Sequence, residues 1–290
     1  MPLSLLIWVF GAERIQSEWN FFQTAPLLLW VAMLALVPLN LFLEYYKLKK
    51  CLTFSGISLP NSQFIAAFFR GLSLRFVFPN KMGLAASIAV KTGYKGAKTL
   101  LLPLAINNLS QLACTLVLGG VGLIFYYKEL GSLFSFKTNA WVLVLLLGAL
   151  LATYFYLKTK HKGFKSSFKR IELKKLTTFL LSYSLLRYLV FTFQFALCAN
   201  HFLPQIGLGQ HFIILPIVFL LTSIIPLGFA GNLGARESVA FGIYAMIFGE
   251  VQGIVSASLL LWIVNLLLPA VLGLLVMFKT EILNPKEVNV

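Results

Sequence analysis

Long apolar stretches constrain the fold of this chain more than any other feature of its sequence. Five of them approach or exceed the roughly 20 residues that a helix needs to cross a bilayer. They lie at about 25–46, 100–127, 140–157, 176–199 and 253–279. The whole chain is 59% hydrophobic and only 11% charged, and its mean hydropathy is +0.87. These values predict an all-α polytopic membrane protein with a single membrane domain over residues 1–290.

Two further apolar regions, 61–98 and 211–249, are interrupted by proline and glycine. The first break lies at Pro79 and Gly83, and the second contains Pro226, which lacks a backbone donor. Glycines that favour unwinding follow Pro226, at Gly228, Gly231 and Gly234. Irregular backbone persists at membrane depth only where it is buried in protein or lines a polar cavity. Each region is therefore predicted to form two half-length helices joined by a turn, which is a re-entrant helical hairpin.

The positions of lysine and arginine predict the orientation of the chain. Most of the 24 basic residues follow the first span, the first break and the 140–157 span, or lie at the C-terminal end. By the positive-inside rule these segments are cytoplasmic, so that the N-terminus is outside and the C-terminus is inside. The apolar run at the start of the chain, residues 2–10, is too short to span a bilayer. Residues 2–22 are therefore interpreted as an interfacial segment, with a further span as the alternative.

This orientation is self-consistent if both hairpins return to the side from which they enter. The chain then consists of five full spans plus two re-entrant hairpins. The halves at about 25–127 and 176–279 form inverted repeats, because the single spacer span at 140–157 turns the second half over. Paired interrupted helices in two inverted halves are typical of transporters that bind substrate near the midplane of the bilayer.

The second break ends in a specific pattern, which consists of Pro226, Gly228, Gly231, Gly234 and the pair Arg236-Glu237. It resembles the transmembrane region of the lysylphosphatidylglycerol synthase/flippase family, and the likeness covers roughly residues 25–279. Asn40, Glu44 and Lys47, near the end of the first span, are also similar to that family. The first break matches less well, because Leu84 stands after Gly83 where the family has glutamate.

The resemblance implies a membrane domain that translocates or handles lipid, in a bacterial or archaeal cytoplasmic membrane. We expect its partners to be membrane lipids, anionic ones in particular, with no nucleic acid among them. A homo-oligomer is left open.

Charged residues within apolar segments are the candidate lipid-binding residues, because a charge at membrane depth is costly unless it has a function or a partner. They are Arg70, Arg75, Arg187, Arg236 and Glu237. For Arg236 and Glu237 the alternative is a structural cap of the broken helix. For Arg70 and Arg75 the alternative is that the side chains extend to the cytoplasmic headgroups.

Catalysis and metal binding have little support in the sequence. There is no aspartate, and the three histidines and three cysteines are scattered without ligand spacing. We therefore expect a protein that is not an enzyme and that needs neither a metal nor another cofactor. The rival interpretations are a membrane-embedded lipid-modifying or glycosyl transferase and an accessory subunit without transport activity. A polar group at Asn107, Asn108, Ser110 and Gln111 is interpreted mainly as interhelical hydrogen bonding.

Overall fold

The structure is a computed structural model that describes residues 12–54, 59–74, 87, 97–131, 170–224, 229–249 and 251–283. All regular structure in these ranges is helical, which confirms the predicted all-α class. The long apolar sequences favour helices because a helix satisfies its backbone hydrogen bonds within one segment, as a bilayer requires.

The helices are numbered here in chain order. They are α1 (Ala12–Gln23), α2 (Leu27–Phe54), α3 (Asn61–Ser73), α4 (Ala97–Phe125), α5 (Arg170–Phe202), α6 (Leu208–Ile224), α7 (Phe229–Phe248), α8 (Ile254–Trp262) and α9 (Leu268–Leu283). A π-helical turn, Ile263–Leu267, joins α8 to α9, so that the two form one continuous helical run.

Four helical segments are long and apolar enough to cross a membrane. They are Leu27–Phe54, Leu104–Phe125, Lys175–Phe202 and Ile254–Val276. These segments confirm four of the five predicted spans, and they identify a membrane-embedded helical protein. The fifth predicted span, 140–157, lies outside the described residues.

Helix α1 docks on the start of α8 through a buried glutamate, Glu18. Its Oε1 accepts a hydrogen bond from the Gly253 backbone N–H at 2.9 Å, and its Oε2 accepts one from the Ser256 N–H at 3.0 Å. The Ser256 hydroxyl donates to the same carboxylate at 2.6 Å. Glu18 thus satisfies backbone donors at the N-terminus of α8, where the helix dipole favours negative charge. The neighbouring Trp19 is 52% exposed.

Helices α2 and α5 pack antiparallel along much of their lengths. Near one end of the pair, the Gln194 amide donates to the Met33 carbonyl at 3.0 Å. Near the other end, Cys51 packs against Leu180. This pairing places the middle of α5 beside the second half of α2.

Helices α4 and α5 run in the same direction. Helix α4 is antiparallel to α6, because Gly119 lies against Leu220 and Gly122 lies against Ile217, and α6 runs back along α5 after the short 203–207 connection. The predicted spacer span, 140–157, falls between α4 and α5 in the sequence and lies outside the residues described.

Helices α6 and α7 form an antiparallel pair within the predicted second hairpin. His211, in the first turn of α6, contacts Tyr244, near the end of α7, through an Nδ1–Oη distance of 2.7 Å. Helix α7 begins at Phe229, so it includes Gly231 and Gly234, where the sequence predicts unwinding. Gly234, within α7, has φ +98°, a conformation that L side chains rarely adopt, so the predicted irregularity is retained as a distortion of this helix.

The half-length helix of each predicted half packs on the last span of the other half. Helix α6 lies so close to α4 that a Cβ on Gly119 would be 2.5 Å from the Cβ of Leu220. Helix α3, the first arm of the predicted first hairpin, lies equally close to α9, where the Ser73 hydroxyl donates to the Ala270 carbonyl at 3.1 Å. The turn of that hairpin lies outside the described residues.

Candidate functional site

Charged and amide side chains of three helical segments meet in a buried group, the Arg187 cluster, defined as Asn40, Glu44, Lys47, Arg187 and Asn265. Arg187 Nη1 lies 2.7 Å from Glu44 Oε2, and Arg187 Nε donates to Asn40 Oδ1 at 2.9 Å. Asn40 Nδ2 in turn donates to Asn265 Oδ1 at 2.9 Å. The cluster forms because Asn40, Glu44 and Lys47 recur at helical spacing on one face of α2.

Lys47 extends the cluster toward α4. Its side chain is fully buried, and its Nζ donates to Ser184 Oγ at 2.5 Å. The Ser110 hydroxyl lies 2.9 Å from that of Ser184 and donates to the Asn107 carbonyl at 2.8 Å. A continuous polar path therefore links α2, α5 and α4 in the interior of the bundle.

The Arg187 cluster contains two basic side chains and one carboxylate. Glu44 is 1% exposed and Lys47 is 0% exposed, so neither charge is solvated by bulk water. Buried charges are stable in a low-dielectric interior when opposite charges and hydrogen bonds compensate them. This arrangement is electrostatically suited to an additional anion.

A cavity of about 200 Å³ lies beside the cluster, between α4, α5 and α6. Its lining consists of Gln111, Thr115, Arg187, Tyr188, Phe191 and Phe219. Arg187 thus faces Glu44 on one side and the cavity on the other, and its side chain is 20% exposed. The rings of Phe191 and Phe219 form an apolar wall, so the cavity combines a hydrocarbon surface with a guanidinium group.

Two polar atoms in the cavity lining lack partners. Gln111 Oε1 and the Tyr188 hydroxyl are buried and take part in no hydrogen bond within the described ranges of the chain. Tyr188 as a whole is 4% exposed. Buried polar groups are nearly always paired, so two such atoms on one cavity indicate a place for a polar ligand or water.

A second arginine, Arg236, is buried in a closed arrangement between α7 and α8. Its Nη2 donates to Glu237 Oε1 at 3.0 Å and to the Ser258 carbonyl at 2.9 Å, and its Nε donates to Ser258 Oγ at 2.8 Å. Glu237 Oε2 accepts from the Gly234 N–H at 2.7 Å. Glu237 is 0% exposed and Arg236 is 7% exposed. The pair neutralises itself and fixes the distorted start of α7 against α8.

The predicted site residues thus fall into separate groups. Arg187 lies on the cavity, whereas Arg236 and Glu237 bond to each other and to α8. Arg70 lies in the last turn of α3, half-buried. Some of the predicted positions lie outside the described residues: Arg75, Pro79, Gly83, Pro226 and Gly228. Gly231 lies in the first turn of α7.

Sequence reasoning missed Asn265, which reaches the cluster from the π-helical turn. It also gave Gln111 mainly a role in helix packing. The signal for Asn265 is that a polar amide interrupts the otherwise apolar 259–276 stretch. A π-helical turn cannot be read from such a sequence, although these turns occur frequently at functional sites.

No group of three or more histidine, cysteine, aspartate or glutamate side chains that could hold a metal ion occurs in the described parts of the chain. Comparison of the chain with models of known protein families and with curated proteins finds no match in either. Inference about function therefore depends on the geometry of the cluster and the cavity.

Proposed function

We propose that this protein is an integral membrane lipid transporter of flippase type that binds an anionic lipid headgroup at Arg187. The lipid is a phospholipid or a polyprenyl-phosphate type molecule. The observation that carries the proposal is the position of Arg187, between a buried carboxylate and a cavity with unpartnered polar atoms. A planar guanidinium group suits a phosphodiester because it offers several donors in a fixed geometry.

The packing of the helices supports an inverted repeat. Exchange of α2 with α5, of α3 with α6 and of α4 with the α8–α9 run maps several of the observed helix pairs onto one another. The antiparallel α2–α5 pair maps onto itself, and α6 on α4 maps onto α3 on α9. Such a relation is typical of transporters in which one half moves against the other around a central site.

The proposed architecture keeps the spacer span at 140–157 and the two re-entrant hairpins. The parallel course of α4 and α5 supports the spacer, and the antiparallel α6–α7 pair supports the second hairpin. The proposed location is a bacterial or archaeal cytoplasmic membrane with the C-terminus inside, on the strength of the basic loops.

The mechanism begins with an exchange of partners at Arg187. A headgroup phosphate enters the cavity and competes with Glu44 for the guanidinium group. Lys47, one helical turn from Glu44 on the same face of α2, then compensates that carboxylate. The acyl chains stay in the bilayer, and the phenylalanine-lined wall covers the apolar part of the lipid.

The proposal is tested with purified protein reconstituted into liposomes that contain fluorescent anionic lipid. We expect transbilayer movement of the lipid with the wild-type protein and at least a roughly tenfold slower rate with Arg187→Gln, since each ~1.4 kcal/mol of lost binding is tenfold. Lys128→Gln, at an exposed position after α4, is the matched control and keeps the wild-type rate. If no anionic lipid moves faster than in protein-free liposomes, the transport proposal is wrong.

A further inference from the structure

The polar groups of the cavity differ in what they can offer to a ligand. Thr115 Oγ1 already donates to the Gln111 carbonyl at 3.2 Å. Arg187 Nε and Nη1 point to Asn40 and Glu44, whereas its Nη2 donates to no other group in the part of the chain that the structure describes. The guanidinium therefore still has donors for an anion.

Gln111 and Tyr188 offer the complementary chemistry. Gln111 Oε1 is an acceptor, and a phenolic hydroxyl accepts as well as donates. Both atoms are buried and have no partner within the described segments. A phosphate accepts hydrogen bonds but supplies no donor at neutral pH when it is a diester, so it cannot satisfy the Gln111 oxygen.

The size of the cavity is compatible with a phosphate-containing headgroup. Its volume of about 200 Å³ suits a phosphate with a short substituent.

We infer that the cavity selects phosphodiester lipids whose headgroup carries a hydrogen-bond donor, a hydroxyl or a primary ammonium group, beside the phosphate. Arg187 binds the phosphate, and Gln111 Oε1 and the Tyr188 hydroxyl bind the donor. This inference rests on the proposed function and names the class of lipid at the same site. Sites built to hydrogen-bond a ligand hydroxyl or amine discriminate strongly against analogues that lack it, because the buried acceptor is then left unpaired.

Two lipids of equal charge test this selectivity. Phosphatidylglycerol and phosphatidylpropanol are both anionic diesters with a three-carbon substituent, but only the first carries hydroxyl donors. Their binding to purified wild-type protein is compared by titration in detergent, with phosphatidylethanolamine and phosphatidylcholine as a second pair that differs in N–H groups. We expect about tenfold tighter binding of the donor-bearing member of each pair.

Two variants test whether the cavity residues cause the preference for donor-bearing lipids. Gln111→Met keeps the length of the side chain but removes the acceptor, and we expect it to reduce the preference to less than about threefold while phosphatidylpropanol still binds. Tyr188→Phe provides a second, smaller change in case Gln111→Met does not fold. Gln16→Met, at an exposed position in α1, is the matched control and keeps the wild-type preference.

The outcomes separate this inference from the proposed function. Equal binding of both members of each pair to the wild-type protein overturns the selectivity while anionic lipid binding stands. A preference that persists in Gln111→Met and Tyr188→Phe also overturns it, because the donor is then recognised elsewhere. Failure of all four lipids to bind overturns the selectivity and the proposed lipid site together.

Discussion

Two arginine–glutamate pairs in the described part of the chain have different surroundings. Arg236 and Glu237 are adjacent in sequence, and Ser258 and the Gly234 N–H complete their hydrogen bonds. Arg187 and Glu44 come from different helices, and Arg187 also faces a cavity. The first pair is a closed unit with balanced charge, whereas the second belongs to a cluster with an additional lysine.

The comparison teaches that a charge at membrane depth is not by itself a sign of ligand binding. The sequence does not distinguish the two pairs, because in each of them the arginine lies within an apolar segment. What distinguishes them is whether the remaining hydrogen-bond donors face protein or a cavity. We therefore assign Arg236 and Glu237 to stability and Arg187 to lipid binding, and the following experiments test this division.

The largest effect on stability is expected at the closed pair. Glu237→Gln leaves the Arg236 guanidinium buried without its carboxylate, and removal of one partner of a buried pair costs ~3–5 kcal/mol. The free energy of unfolding in detergent measures this loss. Glu129→Gln, at an exposed position, is the matched control and stays near wild type. If the free energy of unfolding falls by less than ~1 kcal/mol, the pair does not have this structural role.

The next largest loss of stability is expected at the contact between α4 and α6. A Cβ on Gly119 would lie 2.8 Å from the Pro216 carbonyl oxygen, whereas a Cβ on Gly120 would meet nothing within 4 Å. Gly119→Ala therefore forces the helices apart and costs ~1–3 kcal/mol, and Gly120→Ala is close to neutral. Thermal unfolding of both variants checks this, and equal stability of the two would contradict the observed helix packing.

Arg187→Gln should reduce stability less than Glu237→Gln, by ~1–2 kcal/mol, because Lys47 remains close to Glu44 as a source of positive charge. Its effect on lipid binding is larger, with an affinity for anionic lipid at least about tenfold weaker. Unfolding and lipid titration on the same preparation separate the two effects. The division between the pairs fails if Arg187→Gln unfolds the protein as strongly as Glu237→Gln while the folded fraction binds lipid normally.

The smallest effect is expected at Asn265, which holds Asn40 in the orientation that accepts from Arg187. Asn265→Leu removes this acceptor and should cost ~1 kcal/mol in stability, with lipid binding weakened several-fold. Asn108→Leu, the same change at an exposed position of α4, serves as the control. If Asn265→Leu binds lipid as tightly as the wild-type protein, lipid binding by Arg187 does not depend on the Asn40–Asn265 hydrogen bond.

Hydropathy predicted the spans well because the bilayer admits few alternatives. Four of the five predicted spans are confirmed, and the largest differences in their bounds lie where polar residues extend a helix beyond the apolar stretch. Helix α2, for example, continues through Lys47 and Lys50 to Phe54. Helix α7 begins at Phe229, so that it includes Gly231 and Gly234, and only Gly234 keeps a left-handed backbone there among the described residues.

The site was harder to predict because it depends on which helices are neighbours. The sequence named Arg187 as a candidate but not its partner, and the structure pairs it with Glu44. Asn40, Glu44 and Lys47 were noted only through a family resemblance; Asn40 and Glu44 bond to Arg187, and Lys47 donates to Ser184 beside it. Asn265 and Gln111 acquire their positions from a π-helical turn and from the spacing of three helices, neither of which periodicity encodes.

The most direct test of lipid binding at Arg187 is whether a lipid headgroup enters the cavity. A photoreactive amino acid in place of Thr115, which lines the cavity and is 8% exposed, is irradiated in liposomes that contain anionic lipid. We expect a lipid adduct at this position that is strongly reduced by Arg187→Gln and retained with Lys128→Gln. An absence of adduct at position 115, or an adduct of equal yield in the Arg187→Gln protein, would contradict it.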